Sequence, residues 1–257
     1  VAQISKMYGV DIVCIIDRNQ KQLEIASDRY KKYKNNQILC SDSIASLDNV
    51  ELDIVIEATG TPVAGAIVAK NVLNRGINLI LLNVETEATI GLALRKEAEK
   101  NDALVTVADG DEPVAALDLY NFATELSFEV ISIGKGKNNP FNTFATPSLL
   151  TKEASLKQMN PKMLTSFVDG TKTMVEMTAL ANFLDFNIDV DGMHGIEATY
   201  ENINQYYIPK EDGGLLDESQ VVDFAFGIAP GVFAVIYSED DYVNYEMEYL
   251  KMGKGPY

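Results

Sequence analysis

The sequence predicts an α/β chain: a doubly wound parallel sheet followed by an α+β domain. Three observations carry this reading. Short, continuous apolar runs alternate with amphipathic stretches of about 10–15 residues through the first half, which is the pattern of strand–helix–strand crossovers. That rhythm changes after residue 128, where helical patterns dominate and strands become sparse. Apolar residues make up 47% of the 257 residues and charged ones 23%, enough to build a packed core and too apolar for a disordered or fibrous chain.

Taken in order, Val10–Asp17 is a short apolar run of the kind buried on both sheet faces. Residues 20–33 are charged, with Leu23, Ile25, Ala26 and Tyr30 interspersed, and suit an amphipathic helix. Asp53–Glu57 is the next strand, Ala64–Leu73 a helix closed by Gly76, and Ile77–Leu82 a strand. A helix at Ile90–Lys100, a strand at Ala103–Val107 and a helix over Pro113–Leu126 complete the first part, residues 1–128. In the second part, 129–257, Phe128–Lys137 reads as a strand broken by Asn138-Asn139-Pro140. Helices follow at 148–158 and 161–184, then a loop rich in Gly and Asp, then a strand at Gly231–Ser238. Val1–Met7 reads as the end of a helix, so a preceding strand and glycine loop are expected outside these residues, and Gly253–Tyr257 reads as a loop.

Charge narrows the partners. With 21 Lys and Arg against 38 Asp and Glu, the net charge of −17 repels phosphate backbones and anionic lipid, so nucleic acid and membrane surfaces are not expected. No apolar run reaches the roughly 18–20 residues of a membrane span. Two cysteines, Cys14 and Cys40, are too few for a disulfide framework, and the start lacks the order of a secretory signal, so a reduced, cytoplasmic setting is expected.

Asp17 ends the first apolar run, where a dinucleotide-binding (Rossmann) sheet places a carboxylate against the adenosine ribose, and Arg18 beside it suits a 2′-phosphate. NAD and NADP therefore both remain open, as does the alternative of a simple polar turn. No Gly-x-Gly-x-x-Gly loop occurs in the chain. Ala58, Thr59 and Gly60, and then Asn83 and Glu85, follow two further strands, at the sheet end where ligands bind. Strand periodicity puts Ile131, Ile133, Lys135 and Lys137 on one face. That face runs from apolar to cationic, so Lys135 and Lys137 are candidates to hold a carboxylate or phosphate or to protonate a carbonyl oxygen, with Asn138 and Asn139 beside them. In the 161–184 helix, Asp169, Lys172 and Glu176 fall on one stripe of an otherwise apolar segment. Either Lys172 and Glu176 pair at i,i+4, or they face a cleft as acid–base groups. His194, the one histidine, stands in a Gly-rich loop and is a further candidate. No metal ligand is assigned.

Glu57-Ala58-Thr59-Gly60, Asn83-Val84-Glu85 and Ala108–Pro113 resemble the nucleotide half of homoserine dehydrogenase-like oxidoreductases. Gly134–Pro140 and Phe167–Met177 are similar to the branch containing deoxyxylulose phosphate reductoisomerase-like enzymes and sugar-acid oxidoisomerases. The resemblance implies NAD(P), a small anionic sugar-like substrate, hydride transfer with or without isomerisation, and a catalytic domain that dimerises through its sheet. Homoserine dehydrogenases carry a lysine one turn after an aspartate on the corresponding helix. Here Lys172 falls on the aspartate and Glu176 on the lysine, so homoserine is not the expected substrate. The few strands of the second part also favour a homodimer, since open edges need cover. The rival reading is a non-catalytic dinucleotide-sensing or scaffold protein, favoured by the missing glycine loop.

Overall fold

The computed structural model describes all 257 residues, which form two compact units, Val1–Val107 and Ala108–Tyr257. The division falls one helix before the expected boundary at 128. The reason is packing: the helix at Glu112–Glu125 buries Ala116 and Ala123 in the core of the second unit.

In the first unit every strand pairing is parallel. β1 (Cys14–Ile16) pairs with β2 (Leu39–Ser41), and β3 (Ile54–Glu57), β4 (Asn78–Leu81) and β5 (Val105–Val107) form a second sheet with β4 central. The expected single sheet is therefore two. β1 spans three residues rather than the eight-residue run expected, and all three are half-buried. Helix α1 (Gln20–Lys31) is started by Asn19, whose Oδ1 accepts from Lys21 and Gln22 N–H. Helix α2 (Pro62–Leu73) combines a Thr61 cap with Pro62 in its first turn, where no intrahelical N–H is needed. Helix α3 (Val84–Lys100) has an Asn83 cap, Glu85 and Glu87 in its first turn and Lys100 in its last, all complementary to the helix dipole. Leu79 and Leu81 of β4 meet Ala69, Val72 and Leu73 of α2 and Leu94 and Ala98 of α3 in one core. Val1–Met7 forms only a short 3₁₀ turn, Ile4–Lys6, rather than a helix end.

The second unit is built on β6 (Glu129–Lys137), which lies between β8 (Val221–Phe226), parallel, and β9 (Val232–Tyr237), antiparallel; β7 (Ile196–Glu197) adds to β8. Central strand β8 is absent from the sequence reading, which ran a loop through it. Helices α4 (Glu112–Glu125) and α7 (Thr171–Leu184) cover one sheet face, burying Ile133, Met177, Leu180, Val222 and Phe224. The opposite face is covered by Tyr207, Ile208 and Leu216. Helices α5 (Pro147–Leu156) and α6 (Pro161–Val168) enclose a small cluster of their own. The helix expected over 161–184 is thus two. Gly170 breaks it with φ +90°, and a Cβ there would meet the Phe141 ring at 2.5 Å. A four-residue helix, α8 (Ile203–Tyr206), and the C-terminal α9 (Asp241–Tyr249) complete the unit. No helix is long and apolar enough to cross a membrane, and both cysteines are free thiols.

On β6 the alternation Ser132, Gly134, Gly136 leaves one face thin for a reason the geometry makes plain. A Cβ on Gly134 would lie 1.8 Å from the Asp223 carbonyl oxygen of β8, and one on Gly136 would lie 2.5 Å from the Ala229 amide nitrogen. Both obstacles are backbone, so relief requires β6 to move away from its neighbours. Gly134→Ala is expected to lower the unfolding free energy by at least the upper end of the about 1–3 kcal/mol typical of overpacking, measured by urea denaturation; wild-type stability would contradict the packing described.

Candidate active site

Lys135 is the centre of the group that the structure assembles. It stands on β6 after the apolar Ile133, beneath α4 and α7, and is only 7% exposed. Its Nζ donates to Glu176 Oε2 at 2.5 Å and lies 2.8 Å from Glu112 Oε1, joining the two helices through one ammonium. Glu176, whose side chain is fully buried, receives a second lysine: Lys172 Nζ is 2.6 Å from Oε1, one helical turn away. Lys172 is also 4.0 Å from Asp111 Oδ2. Such charges stay in an apolar seam only because each faces an opposite charge.

The helix starts place the carboxylates. Pro113 sets the first turn of α4, and Asp111 occupies its N-cap position without accepting a cap hydrogen bond. Elsewhere a capping side chain contributes about 1 kcal/mol. Here the Asp111 carboxyl turns instead to Glu112, with which it shares a hydrogen bond. Burial, the Glu112 bond and the nearby Glu176 charge raise Asp111 to about 6. Burial would also raise Glu112, but the bonds from Asp111 and Lys135 outweigh it and hold that carboxyl at about 2. The pair's proton thus resides on Asp111. Carboxylate oxygens of Asp111, Glu112 and Glu176 lie within 4.8 Å of one another, a spacing that suits a cation. Lys135 and Lys172 already supply the positive charge such an ion would bring, so we assign these groups to proton handling and name no metal ligand.

The remaining candidates are placed as follows. Lys135, expected as an anchor for a substrate anion, is enclosed between two carboxylates. Lys137 is 5% exposed, not solvated, and donates to the Phe167 carbonyl at 2.5 Å, with its ammonium 5.8 Å from the Phe141 ring centre. Burial, and then the Lys135 charge, lower its pKa. Asn138 and Asn139 follow it, hydrogen-bonded to each other. Asp169 is not on the α7 stripe, because it lies before the Gly170 break and its Oδ1 accepts from Thr171 N–H at 2.8 Å. His194 makes its contacts elsewhere: Nε2 is 2.6 Å from Asp189 Oδ2, and its N–H donates to the buried Asp223. Hydrogen bonds from His194 and from the Asp217 amide hold Asp189 below its usual range, against the burial that raises it. These bonds order the loop; none reaches the lysine–carboxylate group.

In the first unit, Asp17 and Arg18 are exposed at the end of β1, and Asp17 Oδ1 accepts from Asn19 N–H. Ala58, Thr59 and Gly60 form an exposed turn, Gly60 with φ +73°. Asn83 is buried and fully used: Oδ1 caps α3 at Thr86 N–H, and Nδ2 donates to the Thr61 carbonyl, tying the two turns together. Glu85 is half-buried in the first turn of α3. Glu57 is 2% exposed; its Oε1 accepts from Thr59 N–H, while Oε2 has no partner. The sequence reading did not single out Asp111 or Glu112 as site residues. Their one signal is the acidic pair ahead of Pro113, which also reads as an ordinary helix start.

The Asp111 shift gives a pH dependence with a definite sign. A carboxyl raised from 3.8 to about 6 keeps in the folded state a proton that the unfolded chain has released. Wild-type stability therefore falls as pH rises between these values and is level above them. Asp111→Asn retains a donor for Glu112 and lacks this loss. Its melting temperature should gain on wild type between about pH 4 and 6; a constant difference across that range would contradict the shift.

Comparison with known proteins follows the same division. Among solved structures, the chain is similar to the WlbA dehydrogenase of Chromobacterium violaceum in complex with NADH and UDP-GlcNAcA, with 16% identity, TM-score 0.40, and 51% of this chain and 37% of that one covered. An oxidoreductase of Agrobacterium radiobacter, in complex with NAD⁺, L-tartaric acid and magnesium, gives 16% identity, TM-score 0.41, and coverage of 57% and 42%. A chain described as a probable dehydrogenase of Thermotoga maritima gives 11% identity, TM-score 0.49, and coverage of 87% and 64%. The chain thus spans less than two thirds of each of these neighbours. No curated protein sequence matches it. Residues 110–257 match the family model described as oxidoreductase DRL, catalytic domain. That match takes in every member of the lysine–carboxylate group and more than half the sequence, and the chain belongs to the oxidoreductase DRL family.

Proposed function

We propose that the chain is an NAD(P)-dependent oxidoreductase that moves a hydride between nicotinamide and a carbonyl or secondary alcohol of a small, anionic, sugar-like substrate. The observation that carries this is Lys172. Its ammonium is held 2.6 Å from a fully buried carboxylate whose other oxygen is fixed by a second lysine, yet its own side chain remains 22% exposed. That is a proton donor aimed from a rigid base, as general acid–base catalysis requires.

The nicotinamide, when bound, supplies or accepts the hydride. In the reductive direction Lys172 Nζ gives its proton to the carbonyl oxygen as that oxygen gains charge; in the oxidative direction the neutral amine takes it back. Glu176 stabilises the ammonium, and Lys135 keeps Glu176 ionised and in place. Lys137, with Asn138 and Asn139, would hold the anionic group of the substrate. In the first unit, Asp17 suits the adenosine ribose and Arg18 a 2′-phosphate, while the Ala58–Gly60 turn and the Asn83 and Glu85 turn lie at strand ends where a dinucleotide binds. These residues fit two parts of the cofactor. No pair of close glycines in the chain serves its pyrophosphate.

The finer reading, in which a carbon-skeleton rearrangement precedes reduction, rests on the reductoisomerase-like character of Gly134–Pro140 and Phe167–Met177. Lys172 and Glu176 would then move the protons of both steps, and a homodimer belongs to the same reading. The test uses reduced and oxidised NAD(P) with a panel of sugar phosphates and sugar acids. Lys172→Met, which keeps most of the stem's packing, should lose turnover by about 10²–10⁴-fold with cofactor affinity unchanged. Wild-type turnover in that variant would remove Lys172 from the chemistry. Binding of neither cofactor would favour the scaffold reading.

A further inference from the structure

Asp111 is misplaced for a structural residue. At other helix starts the side chains of Asn19, Thr61, Asn83, Thr146, Asn160 and Asp240 accept from first-turn amides. Asp111 has the same position on α4 and makes no such bond. Its carboxyl is hydrogen-bonded to that of Glu112, and its Oδ2 lies 4.0 Å from Lys172 Nζ, the atom to which the oxidoreductase reading gives the substrate's proton. Exposure falls in order along this line: 33% for the Asp111 side chain, 22% for Lys172 and none for Glu176. Water therefore reaches Asp111 most readily and Glu176 least.

We propose that Asp111, paired with Glu112, is a proton relay that returns protons from solvent to Lys172. The inference rests on the oxidoreductase reading above and adds to it a residue that the Lys172–Glu176 pair does not supply. Once Lys172 has protonated the substrate oxygen, its neutral amine takes a proton from Asp111 Oδ2; one water molecule spans the 4.0 Å. Asp111 is left ionised and recovers its proton from bulk water, so no further reactant is needed. Oxidation of an alcohol runs the relay outward. Glu112 suits the supporting role, because its bond to Lys135 keeps it ionised and leaves the shared proton on Asp111. The charged groups facing Asp111 are Glu112 on its own helix, Lys172 and Glu176 on α7, and Lys135 on β6. The remaining element packed on α4, β9, is uncharged along Val232–Tyr237.

Two measurements test the relay. The first needs no substrate: the Asp111 carboxyl carbon is titrated by NMR in wild type and in Lys172→Met. Loss of the neighbouring ammonium should raise the Asp111 midpoint by about 0.5–1 pH unit, and an unchanged midpoint would overturn the coupling. The second follows turnover with the sugar-phosphate and sugar-acid panel. Asp111→Asn should slow it roughly 10²-fold with cofactor affinity intact, sodium acetate should restore part of the rate, and Asp111→Glu should retain most of it. A wild-type rate and pH profile in Asp111→Asn would overturn the relay while leaving Lys172 as the donor. Absence of any turnover in wild type would instead remove the oxidoreductase reading, and the titration would still decide whether Asp111 and Lys172 exchange charge.

Discussion

One ammonium, that of Lys135, holds the second unit's chemistry and its packing together. A lysine this deeply buried would normally lose its proton or be driven to the surface, because its charge is poorly solvated. It stays because Glu112 and Glu176 enclose it, each from a different helix. That arrangement fixes α4 against α7 across β6 at the level of single side chains, in a seam otherwise filled by Ile133, Met177, Leu180 and Val222. It also leaves a deliberate imbalance in accessibility. Glu176 is sealed, Lys172 and Asp111 are open in part, and protons can enter from one side only. A surface pair of the same composition would give none of this directionality and little stability.

Electrostatics in the group works through separation of neighbouring values rather than through one extreme residue. Asp111 and Glu112 are consecutive carboxyls with a common hydrogen bond, yet one is held high and the other low. The difference lies in Lys135, which bonds one of them and not the other. The same logic explains why three close carboxylates need no ion. Their charge is met within the fold, by two lysines whose positions are set by strand register and helical spacing.

Much of this was legible in the residues, within limits set by sequence distance. Lys172 and Glu176 are four apart on one helix, so their pairing follows from helical geometry. Lys135 and Lys137 on the Ile133 face follow from strand alternation. That Lys135 meets Glu176, 41 positions away, depends on α7 crossing β6, and no local pattern states this. Asp111 and Glu112 were hidden because acidic residues at a helix start usually complement its dipole. β8 was missed because Val221–Phe226 lies among Gly- and Asp-rich turns and carries Asp223 in mid-strand. That carboxylate is satisfied by the amides of His194, Gly195 and Phe224, partners supplied only by the folded chain. The Gly170 break was read through because α6 and α7 continue one another in apolar pattern. The strands of the first unit were legible by rhythm, but their division into two sheets was not, since pairing depends on which edges meet.

The coupling between Lys135 and Glu176 tests this account most directly, through a double-mutant cycle of Lys135→Met and Glu176→Gln followed by urea unfolding. If the ammonium is the tie that holds the two helices, removing either partner strands the other in the interior. The double variant should then lose less than the sum of the single losses by about 2–3 kcal/mol. Additive losses, within about 0.5 kcal/mol, would mean that the two groups are stabilised independently and that the centre described here is not the constraint on which the site depends.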